Sequence, residues 1–283
     1  MIRVPRTLLA LALAATAGGL SAAQQRIPTS ESEASTPPYA EYADLVLAAP
    51  VIVDARIRST SRLKGPDASG VAPGHVRLYV EADVLALIRS STPLAPRIGY
   101  VLDVTPDARG RLPKLGKARV LLFARTVPNN ATLIQLVRPD AQRSWAVGAD
   151  ALTRRITREA LATDAPPAVT GIGNVFHVPG ALPGEGETQI FLTTADSRPV
   201  SLTIDRRPGE PQRWTVSLSE IVDKSAAPPQ PGTLLWYRLA CALPSSLPDS
   251  SVTSATPEDA GIAREDYQFV LQSLGTCDRS PGL

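Results

Sequence analysis

The sequence predicts a mainly β protein, built as two small β modules with a few flanking helices. Three observations predict it. Apolar and polar side chains alternate at period two over much of residues 51–137 and again over 189–218. Gly, Pro and Asn clusters punctuate these runs, and helical periodicity is confined to short stretches between or after them. Period two places alternate side chains on opposite faces of a strand, so each run reads as a half-buried strand bounded by turns. The first module is expected to be barrel-like and the second a meander or sandwich.

The chain opens with Arg3 and Arg6, an apolar stretch over residues 8–17, and small residues at Ser21 and Ala23. Residues 1–23 therefore read as a secretory signal peptide cut before Gln24. The apolar stretch is shorter than the roughly 20 residues a membrane-spanning helix needs, so no transmembrane segment is expected in the mature chain. Residues 24–38 (QQRIPTSESEASTPP) are polar and almost free of large apolar groups. They cannot bury enough surface to offset ordering entropy and are expected to form a disordered leader. A short helical stretch over residues 39–48 follows and is ended by Pro50, which lacks the helical N–H.

The first module is placed at residues 39–164. Val51, Val53, Ala55 and Ile57 face one way, with Asp54, Arg56 and Arg58 opposite. Val76, Leu78, Val80, Ala82 and Val84 repeat the alternation, as do Ile98, Tyr100, Leu102 and Val104. Residues 119–125 (RVLLFAR) lack alternation and read as a strand covered on both faces. Pro128, Asn129 and Asn130 then supply turn chemistry for a hairpin with residues 132–137. That makes about five strands. Leu152, Ile156 and Ala160, with Arg155 and Glu159 at i,i+4, predict a helix over residues 150–161.

The second module is placed at residues 168–283. Ile190, Leu192 and Thr194 alternate with Gln189, Phe191 and Thr193; Val200, Leu202 and Ile204 form the return strand; Trp214, Val216 and Leu218 form the next. Residues 234–243 (LLWYRLACAL) are strongly apolar and are read as a further strand. Thr256 caps a last helix with Pro257 at its first position and Glu258 and Asp259 in its first turn. Ala263, Tyr267, Val270, Leu271 and Leu274 give that helix one apolar stripe. Cys241 and Cys277 are the two cysteines of the chain. In an oxidising compartment such a pair forms a disulfide, stapling the last helix to the 234–243 segment.

Composition excludes some function classes. Without Arg3 and Arg6 the chain carries 27 basic and 27 acidic side chains, which disfavours a nucleic-acid binder. Residues 109–119 (RGRLPKLGKAR) hold five positive charges. Arg109, Arg111 and Lys114 in this segment are candidate contacts for an anionic surface ligand or an acidic face of an envelope protein; the alternative is a solvated loop. His177 lies in residues 171–180 (GIGNVFHVPG), where Gly and Pro flank an imidazole able to act as base or ligand. The alternative there is a strand with a hydrogen-bonded histidine. Gly171 and Gly173 lack the third glycine of a nucleotide-binding fingerprint. No GxSxG elbow, HExxH or calcium loop occurs. No catalytic residue, metal ligand or cofactor is assigned.

With the strands placed, residues 43–125 resemble a secreted OB-fold-type domain of the netrin or tissue-inhibitor kind. The likeness rests on Ala43-Asp44-Leu45-Val46, the strand after Pro50, the long strand over residues 76–88, and RVLLFAR following a basic loop. It implies a small Greek-key barrel used for binding. The N-terminal cysteine with which those inhibitors reach a metal is absent, so inhibition is not implied. The expected function is a non-enzymatic periplasmic or secreted protein that binds an envelope partner. The alternative is an envelope hydrolase using His177 in a Gly/Pro-bordered pocket.

Overall fold

The computed structural model describes residues 37–219 and 227–277. The segment expected to direct export (residues 1–23) and most of the expected disordered leader (24–38) lie outside the described residues. Helix α1 (Tyr39–Ala48) leads into β1 (Val51–Arg62), β2 (Val76–Arg89), β3 (Arg97–Val104), β4 (Arg119–Val127), β5 (Asn130–Leu136) and the short β6 (Gln142–Ser144). Helix α2 (Val147–Leu161) connects these to β7 (Val169–Pro179), β8 (Gly186–Thr194), β9 (Val200–Arg206) and β10 (Arg213–Ser217), followed by α3 (Leu234–Ala240) and α4 (Pro257–Leu274).

Five strands close into a barrel in the order β1-β2-β3-β5-β4, with β4 returning to β1 and β6 alongside β4. All pairings are antiparallel except β3–β5. Closure requires bending, and the β1–β2 ladder supplies it through three register irregularities between Ile52 and Ser59. The order is compatible with an OB-like fold. Val53, Ala55, Ile57, Leu78, Val80, Ala82, Ile98, Tyr100 and Leu102 fill the interior, the face that period two assigns to each strand. β7 to β10 form a separate antiparallel meander, order β10-β9-β8-β7.

A second core joins the barrel's outer wall to the rest. Ile52, Leu121 and Phe123 point outward into it and meet α1, α2, the inner face of the meander, α3 and α4. β4 thus has apolar neighbours on both faces, which is why RVLLFAR shows no alternation. Polar ties fix the helices at this layer. Glu159 accepts hydrogen bonds from Tyr39 Oη (2.5 Å) and from the Leu234 N–H (3.0 Å), so one carboxylate holds α1, α2 and α3. Burial, and then this bond, push the Tyr39 phenol well above its usual pKa, so it remains the donor.

Two expectations need correction. Residues 234–243 do not form a strand; they contain α3. Thr233 is its N-cap, its side chain accepting from the Trp236 N–H (3.3 Å), and the helix buries Leu234, Trp236 and Leu239. A short run that is apolar on every side carries no period with which to separate strand from helix. The helix expected at 150–161 begins one turn earlier, at Val147, because its N-cap, Ala146, makes no side-chain hydrogen bond that would mark the start.

The last helix begins as expected, with Thr256 accepting from the Asp259 N–H (3.1 Å). Cys241, just after α3, is joined to Cys277, just after α4, across 36 residues. In the chain-entropy view a loop of that length contributes about 4 kcal/mol. Replacing both cysteines by serine is expected to lower unfolding free energy by about 2–5 kcal/mol, seen as a lower urea midpoint. An unchanged midpoint would show that Trp236 Nε1, donating to the Leu274 carbonyl (2.9 Å), holds the two helices unaided.

Candidate functional site

β3 has eight residues, but its parallel pairing with β5 is confined to one position, Gly99 opposite Leu133. β5 is held on its other side by β4, from Ala124–Leu136 to Val127–Asn130. Beyond Gly99 no further ladder pair joins the two strands, and a cleft of about 610 Å³ lies along them. Tyr79 of β2, Val101 of β3, Leu133 and Gln135 of β5, and Arg125 of β4 line it, with Arg138 at the rim.

Gly99 is required here. A Cβ at this position would lie 2.1 Å from the Tyr79 hydroxyl oxygen; the phenol ring therefore lies against the backbone of β3. Val101, on the outer face, is 43% exposed, high for a valine in a strand interior. Arg125 is exposed, has no carboxylate within 4 Å among the described residues, and makes only a long contact to the Val137 carbonyl (3.5 Å). Arg138, in contrast, lies 2.8 Å from Asp140.

Arg77 and Asp103 face each other across β2 and β3 and form a two-point ion pair, both contacts 2.8 Å. Hydrogen bonding from Arg77 holds the Asp103 carboxyl below the usual carboxylate range. The pair stabilises the fold above the unfolded aspartate value of about 3.9, and this contribution disappears as pH falls through the lower folded value. Arg77→Gln is expected to move the Asp103 titration upward, as read from carboxyl carbon shifts. An unmoved titration would mean that the pair does not set it.

The basic segment lies elsewhere. Arg109, Arg111 and Lys114 are exposed on the β3–β4 connection and do not line the cleft. Asp107 organises this turn, accepting from the N–H groups of Arg109 (2.9 Å) and Arg111 (2.8 Å) and pairing with the Arg111 side chain (2.8 Å). Leu112 and Leu115 from the same connection pack against the barrel interior. The segment is thus a folded cover over one part of the barrel with Arg109, Arg111 and Lys114 exposed, whereas Arg119 at its end pairs with the buried Asp54.

His177 lies on β7, half-buried, opposite Thr188 of β8. The Thr188 hydroxyl donates to Asp266 of α4, a fully buried carboxylate that also accepts from Arg206 Nε (2.6 Å) and Gln212 Nε2 (2.9 Å). A hydroxyl has one proton, and a carboxylate only accepts. Thr188 must therefore accept from His177, whose Nδ1 carries the proton and donates across 2.9 Å. Gly186 leaves room for the ring, since a Cβ there would fall 2.6 Å from Cε1. The sequence pattern marks His177 and its glycines but not Asp266, which sits on the apolar stripe of α4.

Chemically, this chain orders an imidazole and balances a buried carboxylate with a guanidinium; it also ties α4 to the meander. Thr188→Val removes one donor to Asp266 and the acceptor of His177. Leaving buried groups unsatisfied costs about 1–3 kcal/mol, so a comparable loss is expected in chemical denaturation. A neutral substitution would show that the chain has no structural role.

No protein-family model matches the sequence, and no curated protein matches it. Among the described residues, no group of three or more His, Cys, Asp or Glu side chains is placed to hold a metal ion. No described helix is long and apolar enough to cross a membrane. Sequence reasoning marked neither Tyr79 nor Arg125. The one available pointer was Gly99, since a glycine inside a strand signals close approach of another group.

Proposed function

We propose that this protein is a non-catalytic binding module of the cell envelope, exported to an oxidising compartment, whose partner occupies the cleft between β3 and β5. The observation that carries this reading is the local opening of the barrel wall into about 610 Å³, where an exposed valine, a tyrosine and a carboxylate-free arginine converge. Volumes of this size, mostly apolar with a few polar groups, suit ligand sites. OB-type barrels also use the face formed by their second and third strands for binding.

Export is supported by the charge and apolar pattern of residues 1–23 and fits the Cys241–Cys277 bond. The netrin-like likeness of residues 43–125 belongs to this reading, because small secreted barrels of that kind serve as binding domains. The balanced charge favours a protein or small acidic partner over nucleic acid. The basic segment is the competing surface on the same molecule.

Affinity capture from an envelope extract of the source cells separates the two. Val101→Glu is the cleft variant, and the combined Arg109→Glu, Arg111→Glu, Lys114→Glu variant reverses the loop. We expect one saturable partner, retained by the loop variant and bound at least tenfold more weakly by Val101→Glu. Equal capture by Val101→Glu, or no saturable partner, overturns the reading.

A further inference from the structure

We infer that the cleft takes an extended peptide segment bearing a carboxylate, added edge-on to β3. The inference rests on reading the cleft as the binding site and names the class of its occupant.

The backbone carries the first part of the argument. β2 occupies one edge of β3 along its whole length, from Val76–Val104 to Asp83–Arg97. The other edge meets β5 only at Gly99–Leu133. In an antiparallel ladder successive residues turn their N–H and C=O groups alternately toward and away from the partner strand. Residues 101–104 therefore turn two sets of backbone donors and acceptors away from β2, on the side of the cleft, and no described strand is laddered to them there. An unpaired strand edge is a template for an added strand, and peptide recognition by strand addition uses such groups.

The side chains select the occupant further. Tyr79 and Val101 face each other across the β2–β3 ladder and give adjoining apolar contacts for a side chain of an added strand. The Tyr79 hydroxyl has no hydrogen-bond partner among the described residues and is available to a peptide amide. Arg125 lies beside Gln135 across the β4–β5 ladder and, unlike Arg77 and Arg138, has no carboxylate partner among the described residues. A guanidinium in that state matches a carboxylate, which it can hold by two parallel hydrogen bonds. Four residues of extended chain span about 13 Å, in keeping with a cleft of this size. An oligonucleotide fits less well: Tyr79 is a single stacking surface, and Asp103 in the cleft and Asp140 beside Arg138 would repel phosphates.

The test uses the full mature chain, isotope-labelled, and three probes: acetyl-Val-Thr-Val-Val with a free C-terminal carboxylate, the same peptide as its C-terminal amide, and a thymidine hexanucleotide. The carboxylate peptide is expected to shift the amide signals of residues 101–104 and to slow their hydrogen exchange. The amide form is expected to bind at least tenfold more weakly. Arg125→Gln, on an exposed side chain, is expected to abolish the difference between the two peptides with the rest of the spectrum unchanged. Equal binding of the two peptides, stronger shifts with the oligonucleotide, or no shift at 101–104 with millimolar peptide overturns the inference. If Val101→Glu still weakens capture of the envelope partner, the cleft remains the site and only the peptide assignment falls. If Val101→Glu is neutral, the site itself was misassigned.

Discussion

The ladder between β1 and β4 carries two cores at once, and the other elements are arranged around that constraint. Its inward residues, Val51, Val53 and Ala55 opposite Ala124, Leu122 and Val120, fill the barrel. Its outward pair, Ile52 and Phe123, forms the floor of the second core. Tyr42 of α1 meets Phe123 edge to face, with ring centroids 6.1 Å apart. The one charge in the middle of this buried wall, Asp54, is 1% exposed and is matched by two hydrogen bonds from Arg119. The Arg119 guanidinium lies in turn 3.7 Å from the centre of the Trp145 ring. A buried carboxylate without such a partner would oppose folding strongly, so this pairing permits the wall to be apolar on both sides around a polar residue.

The same constraint opens the cleft. One edge of β4 is taken by β1, and the other is shared by β6, at residues 120–122, and by β5, at residues 124–127. Phe123 marks the changeover, its N–H bonding to the Ala141 carbonyl and its C=O accepting from the Val137 N–H. β5 is thus laddered to β4 at several positions and to β3 at one. A five-strand barrel must still close, and it does so at one contact, Gly99–Leu133, where the phenol of Tyr79 fills the space that a side chain on β3 would take. The opening beside β3 is a consequence of how the wall is fastened elsewhere.

Which parts could be read from the sequence follows from the same physics. β1, β2 and β3 were legible because one face of each is the barrel interior, and that alternation survives whatever covers the outside. β4 was legible for the opposite reason, since cover on both faces leaves a continuous apolar run. α3 was not, because Leu234, Leu235, Trp236 and Tyr237 are apolar without a period; the deciding sign was the cap at Thr233. β6, with three residues, is too short for any pattern. Gly171 and Gly173 left His177 open between a Gly/Pro-bordered pocket and a strand with a hydrogen-bonded histidine; both lie in β7, where its ladder with β8 is irregular. Tyr79, Val101 and Arg125 meet through barrel register, a relation between segments more than twenty residues apart that no local pattern encodes.

The polar network at Asp266 and the polar groups of the cleft differ in a way that bears on function. At Asp266 every polar partner is supplied by the chain: Thr188, Arg206 and Gln212 surround the carboxylate, and His177 completes the hydroxyl's bonding. Such a network gains nothing from a ligand and loses much if one partner is withdrawn. The cleft is the reverse. Among the described residues the Tyr79 hydroxyl and the Arg125 guanidinium have no strong partner, and the outer edge of β3 has no ladder partner beyond Gly99. Exchange of water for a ligand at such groups costs little, and each hydrogen bond regained adds to the apolar contact with Val101 and Leu133. Polar capacity left unused by the fold, set beside exposed apolar surface, is the condition for recognition, and among the described clefts it is met most fully between β3 and β5.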